Sequence, residues 1–347
     1  MECQCVVKFG ADMELMQRPD LEAAGDEIVL RITACGVCHS DVHMKAGGYD
    51  VGNGEIVDRG RPLPRILGHE IAGEVIGMGD SATGVSLGDK VVVYPWQGCG
   101  MCDTCKTGDE HLCTQPHFIG VQLEGGFASH IKVRHSRYLV DIGTRDPLYL
   151  APLSCSGLTA FGAINKIRPQ VAEETVVIIG AGGLGLMAIE ILKALGARSP
   201  VVVDVDPAKR EAAIAAGAGA AIDGAATDAV AQVQRACGGS VKCVIDFVGN
   251  PKTTELGFEA LSKAGTLVLV GLYGGATPWR IPYITWKSAR IVGSCVGSLT
   301  EFRDLMSMAM DDKLGRIPTR AHDLHEANTV ITDLEKGKVI GRAVLTP

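Results

Sequence analysis

Residues 175–190 constrain this chain more than any other stretch. Val176–Ile179 is a short β-branched apolar run, the composition of a strand covered on both faces of a parallel sheet. Gly180, Gly182 and Gly185 follow in G-x-G-x-x-G spacing, with Gly183 and Leu184 between them. Residues 186–195 then read as a helix, which Gly196 stops. Strand, glycine turn and helix in this order make a phosphate cradle. The first glycine turns the chain, the second admits a close approach to the backbone, and the third lets the helix pack on the sheet. The helix N-terminus faces the anionic charge.

A second apolar run, residues 201–204, ends in Asp204, where a carboxylate would accept hydrogen bonds from an adenosine ribose. The stretch therefore predicts a dinucleotide site. Asp204 would repel a 2′-phosphate, which favours NAD over NADP, although Lys209 and Arg210 soften that preference. Further strands are expected at 176–180, 201–205, 243–248, 266–271 and 290–295, with helices such as 207–216 and 253–263 between them. That alternation predicts an α/β, doubly wound parallel sheet. A helix at 301–310 and a last strand at 342–345 follow.

A chain of 347 residues exceeds what one core usually serves, so two domains are expected. The net charge of −7 argues against nucleic acid or an anionic membrane surface as the main partner. No apolar run reaches the roughly 18 residues of a membrane span, and the N-terminus does not read as a signal peptide, so a cytoplasmic protein is expected. In a reducing compartment, clustered cysteines point to metal. Of the 12 cysteines, Cys3, Cys5, Cys35, Cys237, Cys243 and Cys295 lie in apolar or strand-like surroundings and read as buried small residues.

The other six differ. Cys99, Cys102, Cys105 and Cys113 form C-x2-C-x2-C-x7-C in a glycine-rich lobe with little apolar content. Four thiolates at that spacing suit a closed structural zinc site, with an iron–sulfur cluster as the alternative. Cys38, Ser40, Asp41 and His43 stand close together with His39. His69 and Glu70 open a strand, and Cys155 begins a small-residue helix. Residues 47–64 carry no periodicity and read as a long loop.

Taken together, Gly-Val-Cys38-His-Ser-Asp41, Gly68-His69-Glu70, the four-cysteine lobe, Cys155 and Gly180-Ala-Gly-Gly-Leu-Gly185 resemble the zinc-dependent medium-chain alcohol dehydrogenases over essentially the whole chain. The resemblance implies a GroES-like β-barrel catalytic domain, assigned to 1–155 and 298–347, with the structural zinc lobe at about 95–115. A Rossmann NAD-binding domain takes 156–297. It implies two zinc ions per chain, one held by the lobe and one, catalytic, by Cys38, His69 and Cys155 with Glu70 at hand. Two thiolates and an imidazole leave the fourth position open, and zinc there lowers a hydroxyl pKa.

By the same resemblance Asp41 orients His69, Ser40 takes the alcohol proton, and His43 passes it on. Thr159 is expected at the nicotinamide, Lys209 at the adenosine ribose, and Arg342 at the pyrophosphate. His39 matches a phosphate-contacting position. Trp96 either lines the pocket or closes a strand end. His111, His117, His130, His135, His322 and His325 are expected to be structural. The implied activity is reversible oxidation of a primary or secondary alcohol, aromatic or bulky, to an aldehyde or ketone with NAD. The alternatives are a polyol dehydrogenase and a non-catalytic zinc- and nucleotide-binding protein. A homodimer or homotetramer is implied, and the apolar strand 290–295, near the sheet edge, is expected to pair across a dimer.

Overall fold

Two large sheets, one mostly antiparallel and one parallel, carry the chain beside two small antiparallel ones, and the computed structural model describes residues 1–347. The chain opens with an antiparallel pair, β1 (Glu2–Val6) and β2 (Glu14–Gln17). After β3 (Ile28–Gly36) come helix His39–Ala46 and a hairpin of β4 (Tyr49–Asp50) and β5 (Ile56–Val57). Next, β6 (Arg65–Ile66) returns to β1. The long β7 (Glu70–Met78), β8 (Lys90–Val93), β9 (His130–Val133) and β10 (Leu139–Asp141) complete the first part. They pair antiparallel in the order β10-β8-β7-β3, with β9 also on β3. In β3 nearly every residue is buried, Val29 and Cys35 included, and only Arg31 is exposed.

The second sheet is wholly parallel. It contains β11 (Val176–Ile179), β12 (Val201–Asp204), β13 (Ala220–Asp223), β14 (Cys243–Asp246), β15 (Thr266–Leu269) and β16 (Arg290–Gly293). Their order is β13-β12-β11-β14-β15-β16, so β11 is central and buried along its whole length. Helices Gly183–Ala194 and Pro207–Ala216 cover one face, and helices Ala229–Ala236 and Pro251–Ala260 cover the other. The chain then returns to the first sheet. There β18 (Arg342–Thr346) pairs antiparallel with β3, and β17 (Thr319–Asp323) lies parallel to β18 at the edge. The buried helix Ser156–Asn165 packs on Gly183–Ala194 and joins the two sheets through one continuous core. Each fully buried Leu or Ile there contributes roughly 1.5–3 kcal/mol. No single helix is long and apolar enough to cross a membrane.

The expected α/β architecture is present, with differences in detail. Parallel strands stop one or two residues early because the chain leaves the sheet there for the cleft. β13 went unseen because Ala-Ala-Ile-Asp carries almost no pattern, and its register on β12 supplies what propensity lacks. β17 is polar and largely exposed, a strand only because β18 offers an open edge. The helix after the glycine turn begins at Gly183 rather than Leu186, and Gly196 follows its end with φ +69°. Helix Leu299–Met310 begins earlier than expected because Ser298 and Glu301 form a capping box.

The stretch 47–64 is not patternless: it folds as the β4–β5 hairpin. The buried Arg65 guanidinium holds its base, with both terminal nitrogens on Asp58 (3.0 and 3.1 Å) and one on the Met44 carbonyl. Cys295 corrects the expectation of a buried residue: it is exposed, having passed the end of β16, and Cys237 is only half-buried.

Candidate active site

Three separate segments converge in the cleft between the sheets. Cys38 caps helix His39–Ala46, and Asp41 in its first turn accepts the Cys38 N–H at 2.9 Å. The other Asp41 oxygen accepts the Gly68 N–H at 3.0 Å and lies 3.5 Å from Nδ1 of His69. One buried carboxylate thus fixes both the cap and the imidazole. Gly68 sits at φ +90°, where a Cβ would fall 2.5 Å from Phe127 and 2.8 Å from the Cys35 sulfur. Only glycine turns the chain there and sends His69 inward. Cys155 enters from the third segment, at the head of helix Ser156–Asn165.

The donor atoms of Cys38, His69, Glu70 and Cys155 lie within 4.8 Å of one another, and all four residues are buried. The Cys38 and Cys155 sulfurs are 3.9 Å apart, and His69 Nε2 is 3.3 Å from Cys155 Sγ. Tetrahedral zinc with bonds near 2.3 Å to sulfur sets sulfurs about 3.8 Å apart, so the donors fit a zinc ion. Glu70 strengthens the fit. One of its oxygens is paired with Arg342, while the other is buried without a partner.

The charges agree with this chemistry. Cys38 is held well below the ordinary thiol value, first by the Cys155 S–H and, against burial, by His69 and Arg342. The same contact, with burial, pushes Cys155 well up. Burial opposes a charged His69, yet Asp41 and Cys38 hold its pKa well above the usual imidazole value. The cluster shares protons that a metal ion displaces.

Beside it, the Trp96 indole donates to the Ser154 carbonyl at 3.0 Å and tilts over His69, ring centroids 5.2 Å apart. Phe118 meets Trp96 edge-on. Ser40 and His43 lie on the helix that Cys38 caps, and the His43 ring stands 5.1 Å from Tyr49 of the hairpin.

The lobe holds a second set. Cys99 and Cys105 are 3.9 Å apart, Cys102 and Cys105 3.4 Å, and Cys102 and Cys113 3.8 Å, again tetrahedral spacing. Backbone N–H groups of Met101 and Cys102 point at the Cys99 sulfur and pull its pKa down to about 6. Those of Cys99 and Gln115 point at Cys113. Glu110 fastens the lobe to the barrel, accepting from Gly98 N–H at 2.9 Å and from the Tyr138 hydroxyl at 2.6 Å.

Across the cleft, Gly180 turns off β11 at φ +95°, and a Cβ on Gly185 would strike the Gly180 carbonyl at 1.9 Å. A Cβ on Gly182, the helix cap, would meet nothing within 4 Å, so space lies open beside the turn. Asp204 accepts the Ala181 N–H at 2.7 Å and the Asp206 N–H at 2.9 Å, bracing the glycine turn. Arg210 donates to the Asp204 carbonyl.

Residues 24–144 match the family model described as alcohol dehydrogenase GroES-like domain, and residues 183–311 match zinc-binding dehydrogenase. The chain is 39% identical to an NAD-dependent alcohol dehydrogenase of Sulfurisphaera tokodaii over 100% of both chains. It is 38% identical to one of Saccharolobus solfataricus over 99% of each. It belongs to the zinc-binding medium-chain alcohol dehydrogenase family. The crystal structure of the alcohol dehydrogenase from Aeropyrum pernix superposes with a TM-score of 0.90, at 29% identity and 100% coverage of both chains.

In this dehydrogenase the fold brings Cys38, His69, Glu70 and Cys155 to one point and the lobe cysteines to another. Arg342 is buried between the two halves of the cleft, with its guanidinium on Glu70 and its stem against Gly183. Thr159 lies one helical turn beyond Cys155, and its N–H donates to the Cys155 carbonyl at 2.8 Å. Lys209 reaches towards Gly337 of the returning C-terminal segment. His39 is exposed. Reading the sequence missed Tyr49, which burial gives a raised pKa and which interacts with the Ser40 hydroxyl. It missed the Arg65–Asp58 clamp as well, because nothing in a glycine-rich loop announces which residue will be buried.

Proposed function

We propose that the protein oxidises an alcohol reversibly to an aldehyde or ketone, with NAD as hydride acceptor. The observation that carries this reading is the Cys38–His69–Cys155 cluster, three donors with an unpaired Glu70 oxygen, linked to the glycine turn by Arg342, which touches both Glu70 and Gly183. A zinc ion held there supplies Lewis acidity towards the alcohol hydroxyl, and the nicotinamide supplies the hydride acceptor. Asp41 keeps His69 oriented through Nδ1. Ser40 takes the hydroxyl proton and His43 carries it towards solvent. Burial, and then His39, lower the His43 pKa, so its imidazole is neutral and ready to accept.

With NAD bound, Thr159 would contact the nicotinamide side, Asp204 and Lys209 the adenosine ribose, and Arg342 with Gly180, Gly182, Gly183, Leu184 and Gly185 the pyrophosphate. Trp96 and Phe118 offer an aromatic wall that suits a bulky or aromatic alcohol. The catalytic unit is 1–155 with 298–347 and the nucleotide unit 156–297, on the pairing of β18 with β3. Clustered metal-binding thiolates suit a reducing cytoplasm.

The chain forms a homodimer or homotetramer through β16. This strand is the outer one of its sheet, and Ile281, Tyr283 and Trp286 beside it are exposed. Light scattering that returned a monomer mass would remove that assembly.

The activity test is NADH formation from NAD across ethanol, benzyl, secondary and polyhydric alcohols, with and without a zinc chelator. Chelator-sensitive turnover on one class is expected. Nucleotide binding with silence across every class would overturn the reading.

A further inference from the structure

The N-terminal strand carries two cysteines that the metal centres leave unused. Cys3 and Cys5 sit two apart on β1 and therefore project from the same face. Their sulfurs are 3.5 Å apart, and both residues are fully buried. The Arg18 guanidinium, just past β2, lies 3.4 Å from the Cys5 sulfur, and its other arm is paired with Glu124 at 2.6 Å. Glu124 also pairs with Arg61. Cys3 faces the Met16 carbonyl at 3.6 Å, an acceptor that suits a protonated thiol.

We propose that Cys3 and Cys5 form a peroxide-reactive pair, with Cys5 as the attacking thiolate, Cys3 as the resolving thiol and an intrastrand disulfide as the product.

The surroundings separate the two roles. The Cys3 S–H, Arg18 and Arg61 pull Cys5 down to about 7 against burial, while the same contact with Cys5, and burial, push Cys3 far up. The other charges near the pair are the N-terminal ammonium, which acts on Cys3, and Glu124, which both arginines already occupy. Glu14, opposite Cys5 on β2, is exposed. A low-pKa thiolate beside a protonated partner is the arrangement that redox-responsive cysteines use.

The chemistry balances with hydrogen peroxide as oxidant. The Cys5 thiolate attacks the peroxide oxygen, the O–O bond breaks, and with one proton Cys5 becomes a sulfenic acid and water leaves. Cys3 sulfur then attacks the Cys5 sulfur, its proton leaves with the hydroxyl as a second water, and the disulfide forms. Two electrons pass from the thiol pair to the peroxide.

Access comes from β2. It is a short edge strand whose Glu14, Leu15 and Gln17 are exposed, and such strands open locally at low cost. Two residues along a strand span roughly 6.6–6.8 Å between Cα atoms, the upper end of what a disulfide bridges. The bond is therefore strained and readily reduced by a dithiol.

The test uses the zinc-loaded full chain, treated with hydrogen peroxide at neutral pH, then denatured, alkylated and mapped by mass spectrometry. The expected N-terminal peptide is two hydrogens lighter and unalkylated at Cys3 and Cys5, and dithiothreitol restores both thiols. Arg18→Gln slows the reaction about tenfold as the thiolate is lost. Cys3→Ser halts it at a Cys5 sulfenic acid that dimedone traps, and this arm holds even where Arg18→Gln misfolds. Full alkylation of both residues after the lobe cysteines have oxidised would overturn the proposal. So would a folded Arg18→Gln variant reacting at the wild-type rate, or a Cys3→Ser variant with no dimedone adduct at Cys5.

Discussion

The lobe cysteines come from one short stretch of chain, whereas Cys38 and Cys155 are 117 positions apart and meet only when distant segments pack together. The lobe is partly exposed, its thiolates prepared by backbone N–H groups that local turns supply. The other cluster is buried, its charges set by side chains from four segments: Asp41, His69, Cys155 and Arg342. The lobe sulfurs contact one another and nearby backbone N–H groups, while one Glu70 oxygen has no protein partner. Four thiolates close a coordination shell and hold a fold together. Two thiolates and an imidazole leave room for a substrate.

Breaking each cluster separately tests this division. Cys38→Ser is expected to cost at least about a thousandfold in turnover, the several kcal/mol that a Lewis acid supplies. It should lose one of two zinc ions on metal analysis and keep its circular dichroism and melting temperature. Early melting would show that the two metals are wrongly divided. Cys105→Ser should do the reverse, losing the lobe metal and lowering Tm by roughly 5–10 °C in a thermal scan. An unchanged Tm would deny the lobe its role as a staple.

Asp41→Asn sharpens the comparison, since only the buried cluster depends on a carboxylate behind a ligand. Its zinc affinity, measured by competition with a chromogenic chelator, should fall about 10–100-fold while the lobe ion stays. Loss of both ions together would indicate general unfolding.

His43→Gln probes the proton path. Burial, and then His39, lower the His43 pKa from the ordinary imidazole value. Its imidazole is therefore neutral at and above neutral pH, and wild-type activity should fall as pH drops through that lowered pKa. The variant should turn over about tenfold more slowly near neutrality and climb more steeply towards alkaline pH. An identical pH profile would remove His43 from the path.

Trp96→Phe is expected to be the mildest, forfeiting the hydrogen bond to Ser154, worth about 1 kcal/mol. It should alter KM for bulky alcohols more than kcat, and an equal effect on ethanol would argue against an aromatic wall.

Much of this was legible because its physics is local. The glycine turn, the β-branched run of β11 and the Cys-x2-Cys-x2-Cys spacing each state their geometry within a few residues. The resemblance carried His69, Glu70 and Cys155, whose neighbours alone would not have joined them to Cys38. β13 and β17 were invisible because a strand of Ala-Ala-Ile-Asp or Thr-Arg-Ala-His-Asp exists by virtue of the edge beside it. Tyr49 and Arg65 were invisible because burial in a loop depends on what the loop lands against.

The sequence by itself determined the parallel nucleotide sheet, the self-contained four-thiolate lobe and the chemical types of the remaining donors, since periodicity and short spacings fix those without distant contacts. Only the tertiary structure decided that Asp41 serves both Cys38 and His69, that Arg342 spans from Gly183 to Glu70, and that Cys5 lies beside Cys3 and an arginine. Those pairings depend on tertiary packing, because the free energy of a buried charge is set by neighbours that the chain brings from far along its length.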